Sequence, residues 1–254
     1  MDGRLIVARF RSRFLVLWIA SVIAIALVLP YALTLEQGAL PTGVPLGVVA
    51  AAGLVQSAVL FAVATFLGLR AADATGLRTP LIDALAQRAS VAAAWRSLRP
   101  LSAATWGVGV AAVIAALDFG LFLPNLPEFR AAANAVTPER WQGLLASFYG
   151  GIGEELLTRL FFVSALAWLL GRRRGGRERA STMWLANVGA AVLFGAGHLP
   201  AVATIAPLTP LIVTRTVLLN TLGGIVFGWL YWKRGLEAGM VAHFASDIVL
   251  HVIG

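Results

Sequence analysis

Long apolar runs alternate with short polar segments rich in arginine along the whole chain. The runs are about 17–25 residues each, enough for a helix to cross roughly 30 Å of hydrocarbon. Seven are read: Phe14–Leu35, Val44–Leu69, Leu101–Leu123, Trp141–Leu170, Met183–Leu199, Leu211–Trp232 and Leu236–Ile253. The pattern predicts an all-α fold, a polytopic helical membrane protein of about seven transmembrane helices.

Two connecting segments read as more than loops. Leu81, Ile82, Leu85, Val91, Trp95 and Leu98 recur near helical spacing among arginines, which predicts a helix lying in the membrane interface. Asn125–Arg140 suggests a second one on the opposite side. Residues 171–180, GRRRGGRERA, read as a basic turn. The first run follows a basic leader without a small-residue cleavage site, so it is expected to stay as a helix. Gly224/Gly228 and Gly235/Gly239 have the GxxxG spacing of close helix packing. The whole is expected to be one integral membrane unit, 1–254. No motif is apparent in 1–140, and the candidate chemistry falls in 141–254.

Composition agrees. Of 254 residues, 59% are hydrophobic and 13% charged, about half the charge of an average soluble domain; mean hydropathy is +0.83. The net charge of +8 has a better use here than nucleic acid, because basic residues gather in the cytoplasmic segments of membrane proteins. With the amino terminus inside, those segments hold 16 of the 20 basic residues: Arg4, Arg9, Arg11 and Arg13; Arg70, Arg78, Arg88, Arg96 and Arg99; Arg172, Arg173, Arg174, Arg177 and Arg179; Lys233 and Arg234. Arg130 and Arg140 lie opposite, and Arg159 and Arg215 fall within spans. There is no cysteine, which excludes disulfides, thiolate catalysis and cysteine-ligated zinc.

Ionisable residues at membrane depth are costly, rare and usually functional. Asp118, Glu154, Glu155, Arg159, His198, Arg215, His243 and Asp247 all lie in predicted spans. Glu155 and Arg159, at i and i+4 with the acid first, suit an ion pair. Glu154 points about 100° away around the helix and has no local cation, which suits a general base. Glu154 and His198 each lie 22 residues from Gly176, so an antiparallel hairpin brings them to one depth. His243 and Asp247 again share a helix face at i and i+4. Measured from the turn at 233–235, His243 comes out shallower than Glu154 by more than a helical turn, a gap that tilt or a deeper start to the last helix would close. His251 reads as packing or the far interface, and Asp118 and Arg215 as partners of each other.

Two histidines and a carboxylate from separate helices can bind a divalent metal or activate water directly. The zinc signature HExxH is absent, since Leu199 and Pro200 follow His198. No GxSG-type serine and no GxGD aspartate appear, and Ser246 is a weak nucleophile candidate. What remains is a water polarised by glutamate and histidine.

Glu154-Glu155-x-x-x-Arg159, Phe194-x-x-x-His198 and His243-x-x-x-Asp247, in that order, resemble the three motifs of the CAAX protease and bacteriocin-processing (CPBP) family, which includes type II CAAX prenyl proteases. The resemblance covers about the last 110 residues. It implies an intramembrane peptidase in which Glu154 activates water with help from His198. Glu155 would be a supporting acid held by Arg159, and Phe194 would pack beside the site. His243 and residue 247 would hold the oxyanion. An ionised aspartate at 247 would repel an oxyanion, so Asp247 is either protonated or orients His243 and leaves the donor role to that imidazole; the second is expected.

The expected cofactor is none, with zinc as the alternative, because Glu155 is tied to arginine and the remaining ligand set is poor for zinc. The implied partners are a peptide or membrane-protein substrate and the bilayer. Nineteen arginines against one lysine point to a prokaryotic inner membrane, where a prenylated substrate is not expected. Two other readings stand beside the peptidase: a proton- or ion-coupled transporter, and a non-catalytic chaperone or immunity factor of the same fold.

Overall fold

The computed structural model describes residues 3–35, 43–172 and 180–253. The basic turn predicted at 171–180 lies mostly outside the described residues. Within them every regular element is helical and no strand occurs. Long helices α1 (Gly3–Leu35) and α2 (Leu46–Thr75) come first, then short α3 (Pro80–Gln87) and α4 (Val91–Ser97). Next are α5 (Pro100–Leu117), prolonged by a π-helical turn, and α6 (Pro127–Ala135). A continuous helical run over 140–172 follows, made of α7 (Arg140–Phe148), π-helical Tyr149–Glu154 and Leu156–Val163, and α8 (Ser164–Arg172). The chain closes with α9 (Ala180–Gly197), short α10 (Leu199–Ala203), α11 (Pro210–Arg234) and α12 (Leu236–Asp247), which ends in a π-helical turn to Ile253.

Among the described residues six helices are long and apolar enough to cross a membrane: Ile6–Leu35, Leu46–Thr75, Pro100–Asn125, Ala180–Ala203, Pro210–Arg234 and Leu236–Ile253. The expected Trp141–Leu170 exists as a helical run but is not among the six. It carries Glu154, Glu155 and Arg159, and it packs against α1, α2, α9 and α12. Protein enclosing these charges stands in for the lipid that would reject them. Its wide π-helical middle is a form that recurs at functional sites.

The interfacial helix expected between α2 and α5 is two helices. Arg88 ends α3 in the left-handed conformation (φ 53°), and Ser90 caps α4 by accepting from the Ala93 amide at 3.2 Å. Leu98 is fully buried while Leu85 and Trp95 stay exposed. On the other side, α6 occupies the second expected stretch, with Phe129 buried against Phe122, Leu126, Ile212 and Leu219.

Gly224 and Gly228 lie where α11 crosses α9. A Cβ on Gly224 would stand 2.8 Å from the Ala191 Cβ, and one on Gly228 would meet Asn187 Oδ1. The second pair departs from expectation. Gly235 is not helical but turns the chain at φ 111°, pressed against Pro80, so only Gly239 packs within a helix. That turn draws α12 inward: the Leu236 amide donates to the Arg78 carbonyl at 3.0 Å and Leu236 is fully buried. Nearby, Glu237 accepts from the amides of Leu81 (2.9 Å) and Ile82 (3.0 Å) at the start of α3, and Arg13 pairs with Asp73 (2.8 Å) and Asp83 (2.9 Å). These contacts brace the arginine-rich end.

Candidate active site

Three helical segments bring the predicted residues together. Glu154 ends the first π-helical stretch, His198 follows the last turn of α9, and His243 and Asp247 share one face of α12. Glu154 Oε1 stands 3.8 Å from His198 Nε2, and Glu154 Oε2 stands 3.6 Å from His243 Nε2. One carboxylate is therefore flanked by two imidazoles, one at each oxygen. Both gaps exceed a direct hydrogen bond and suit an atom shared between the groups. Side-chain exposures of 22% for Glu154 and 32% for His198, against 6% for His243, put the accessible side of the cluster at the first two.

Local chemistry fixes each ring. His198 Nδ1 lies 2.9 Å from the Phe194 carbonyl, an acceptor only, so Nδ1 carries the hydrogen and a neutral ring presents the Nε2 lone pair to Glu154. Phe194, four residues earlier, meets the His198 ring edge-on at 4.7 Å and the His243 ring at 5.8 Å. His243 Nδ1 lies 2.8 Å from Glu155 Oε1. Phe227 stacks on the same ring, with centroids 4.6 Å apart and planes 21° apart.

Glu155 therefore has two partners. The expected one, Arg159, is present: Nη1 is 3.1 Å from Glu155 Oε1, and both side chains are buried. The guanidinium also donates to the Gly224 carbonyl at 3.0 Å, contacts the Thr158 hydroxyl, and lies over the rings of Phe194 (4.9 Å) and Phe227 (5.4 Å). The second partner, His243, corrects the expectation for Asp247. Asp247 Oδ1 stands 3.6 Å from His243 Nε2, beyond hydrogen-bond reach, while Glu155 holds the other nitrogen. The orienting contact comes from the acid 88 residues away and not from the one a helical turn along.

The expected depth mismatch between His243 and Glu154 is also absent. It assumed that the last helix starts at the membrane interface, whereas the Gly235 turn starts α12 inside the protein.

Several contributors were not read from the sequence. Gly150 lies directly against Asp247: a Cβ there would meet Oδ2 and stand 3.2 Å from His243 Nε2. The signal was the glycine run Gly150-Gly151-x-Gly153 just before Glu154. Phe227 and the Gly224 carbonyl had no such signal. His251, expected at the periphery, has Nε2 3.9 Å from Asp247 Oδ1 and Nδ1 3.5 Å from the Tyr31 hydroxyl of α1, so it borders the cluster. Asp118 and Arg215 do pair with each other, and their ion pair belongs to a separate place. Ser246 is buried beside the cluster, and the glutamate and histidine geometry is built without it.

Residues 135–249 match the family model described as type II CAAX prenyl endopeptidase Rce1-like. The chain carries an Rce1-like domain. No curated relative and no solved structure matches it. Every residue of the glutamate and histidine cluster falls inside the Rce1-like segment; His251 and Tyr31 fall outside it. In general terms the protein is an integral membrane peptidase of the CAAX type, with a peptide or protein substrate in the membrane.

Imidazole and carboxylate are donor types that zinc accepts. Here, however, the histidines flank different oxygens of Glu154, and Glu155 is committed to Arg159 and His243. Among the described residues no group of three or more His, Asp or Glu has the geometry to hold a metal ion.

Proposed function

We propose that the Rce1-like domain is a glutamate-type peptidase that hydrolyses a peptide bond in or beside the membrane without a metal. The observation that carries this reading is the Glu154 carboxylate set between the Nε2 atoms of His198 and His243. Glu154 takes a proton from a water aligned by the His198 lone pair, and the hydroxide oxygen bonds to the substrate carbonyl carbon. The resulting oxyanion is met by His243, which donates from Nε2 while Nδ1–H donates to Glu155. Glu154 then returns its proton to the leaving nitrogen as the C–N bond breaks, giving a carboxylic acid and an amine. Glu155 and Arg159 hold His243 for this role, Phe194 packs its edge, and Asp247 borders the oxyanion side.

The arginine distribution supports an amino terminus and a braced end on the cytoplasmic side, and arginine in place of lysine fits a prokaryotic inner membrane. Asp118 and Arg215, the membrane charges to which the peptidase reading gives no role, are paired with each other.

The test uses the purified full chain and a quenched peptide library. Glu154→Gln is expected to abolish cleavage while thermal unfolding in detergent stays unchanged. Wild-type turnover in Glu154→Gln would refute the glutamate mechanism, and activity lost to a chelator and restored by zinc would refute the metal-free one.

A further inference from the structure

At the arginine-rich end, where α4 turns into α5, a groove of about 390 Å³ is lined by Trp95, Arg96, Arg99, Pro100, Leu101 and Ser102. A third guanidinium reaches its rim from the last turn of α11: Arg234 Nη1 donates to Ser102 Oγ at 3.2 Å. Three cations from α4, the α4–α5 turn and α11 thus share one small space. None of the three forms an ion pair among the described residues. The nearby acids are committed elsewhere, Asp73 and Asp83 to Arg13 and Glu237 to the amides of α3. Like charges gathered without an acid repel one another, and an anion seated among them reverses the sign of that interaction.

The turn itself is unusual. Arg99 adopts φ 51°, ψ 61°, the left-handed region that favours glycine. Arg88 takes the same conformation at the end of α3; at Arg99 it sets the basic residue at the groove. Leu98, one residue earlier, is fully buried and pins the turn. Above the cations the border is apolar: Leu101 is 85% exposed, and Trp95 and Trp106 are exposed as well. Tryptophan at this level marks the boundary between headgroups and acyl chains.

Cations below and apolar surface above match one end of a phospholipid each. We propose that this groove binds the phosphate headgroup of an anionic phospholipid of the phosphatidylglycerol type, with its acyl chains along Leu101 and Trp106. A zwitterionic phospholipid brings a phosphate too, but its own cation opposes the arginines. The site is independent of the catalytic reading, since no catalytic side chain takes part in it.

Native mass spectrometry of the purified full chain, titrated with phosphatidylglycerol or phosphatidylcholine, tests the site by binding alone. Phosphatidylglycerol is expected to be retained in preference. Arg96→Gln, Arg99→Gln and Arg234→Gln should each weaken it roughly fivefold, and about a hundredfold together. Arg70→Gln, an exposed arginine of the same end outside the groove, should leave binding unchanged. Equal loss in Arg70→Gln would mean diffuse surface charge and overturn the site. Full displacement of the lipid by millimolar inorganic phosphate would mean a soluble-anion site and overturn the lipid assignment. Arg96 and Arg99 are exposed and unpaired, so their single variants carry the test if the triple variant fails to fold.

Discussion

Two arginines lie inside the helical bundle, each beside an acid and an aromatic ring, yet they do different work. Arg215 grips Asp118 with both ends of its fork, at 2.7 and 2.5 Å, under Phe129 at 4.8 Å. Both Asp118 oxygens face that one guanidinium, so the pair is closed and ties α5 to α11. Arg159 shares its acid: Glu155 Oε1 also meets His243 Nδ1. The closed pair is partly open to its surroundings, at 19% and 15% side-chain exposure; the shared one is sealed, at 2% and 0%. An intramembrane ion pair becomes part of a site when a third group depends on its acid, and burial alone does not make it so.

The sharpest division comes from Glu154, which neither pair includes. Glu154→Gln is expected to lower turnover by roughly 10²–10⁴-fold, with the unfolding temperature unchanged. Breaking the sealed pair comes next. Arg159→Met leaves Glu155 buried without its cation, which should destabilise the fold by about 3–5 kcal/mol, read by detergent unfolding; activity should fall with it because His243 loses its anchor. Glu155→Gln should reduce both activity and stability as well. If it changes stability alone, the shared acid is a clamp like Asp118 and the comparison collapses.

Arg215→Gln should cost about 1–2 kcal/mol, less than the sealed pair because solvent screens part of it. Peptide cleavage below the unfolding transition should be unaffected. The smallest effect belongs to the rim. His251→Leu removes the group 3.9 Å from Asp247 and should lower turnover less than tenfold, about the worth of one modest polar contact; a thousandfold loss would move His251 into the centre of the mechanism.

Much of this was legible in the chain itself. Hydrophobic run length exposed the helical membrane fold, and the i, i+4 spacing of Glu155 and Arg159 gave their ion pair, because a helix sets that distance locally. The equal count from Glu154 and His198 to Gly176 gave their approach, since a hairpin of two helices carries depth along the chain. The Glu155–His243 contact was not legible. It depends on where α12 begins, and the left-handed turn at Gly235, seated against Pro80 and Arg78, decides that. The depth count for His243 failed for the same reason.

The sequence by itself determined the helices, the costly charges placed within them, and the pairs that one helix or one hairpin can form. The tertiary structure decided which acid holds which histidine. The reason is geometric: spacing along a helix is fixed by its rise and turn, whereas the offset between helices far apart in the chain is set by tilt, small-residue crossings at Gly224 and Gly228, and the turn at which each helix enters the bundle.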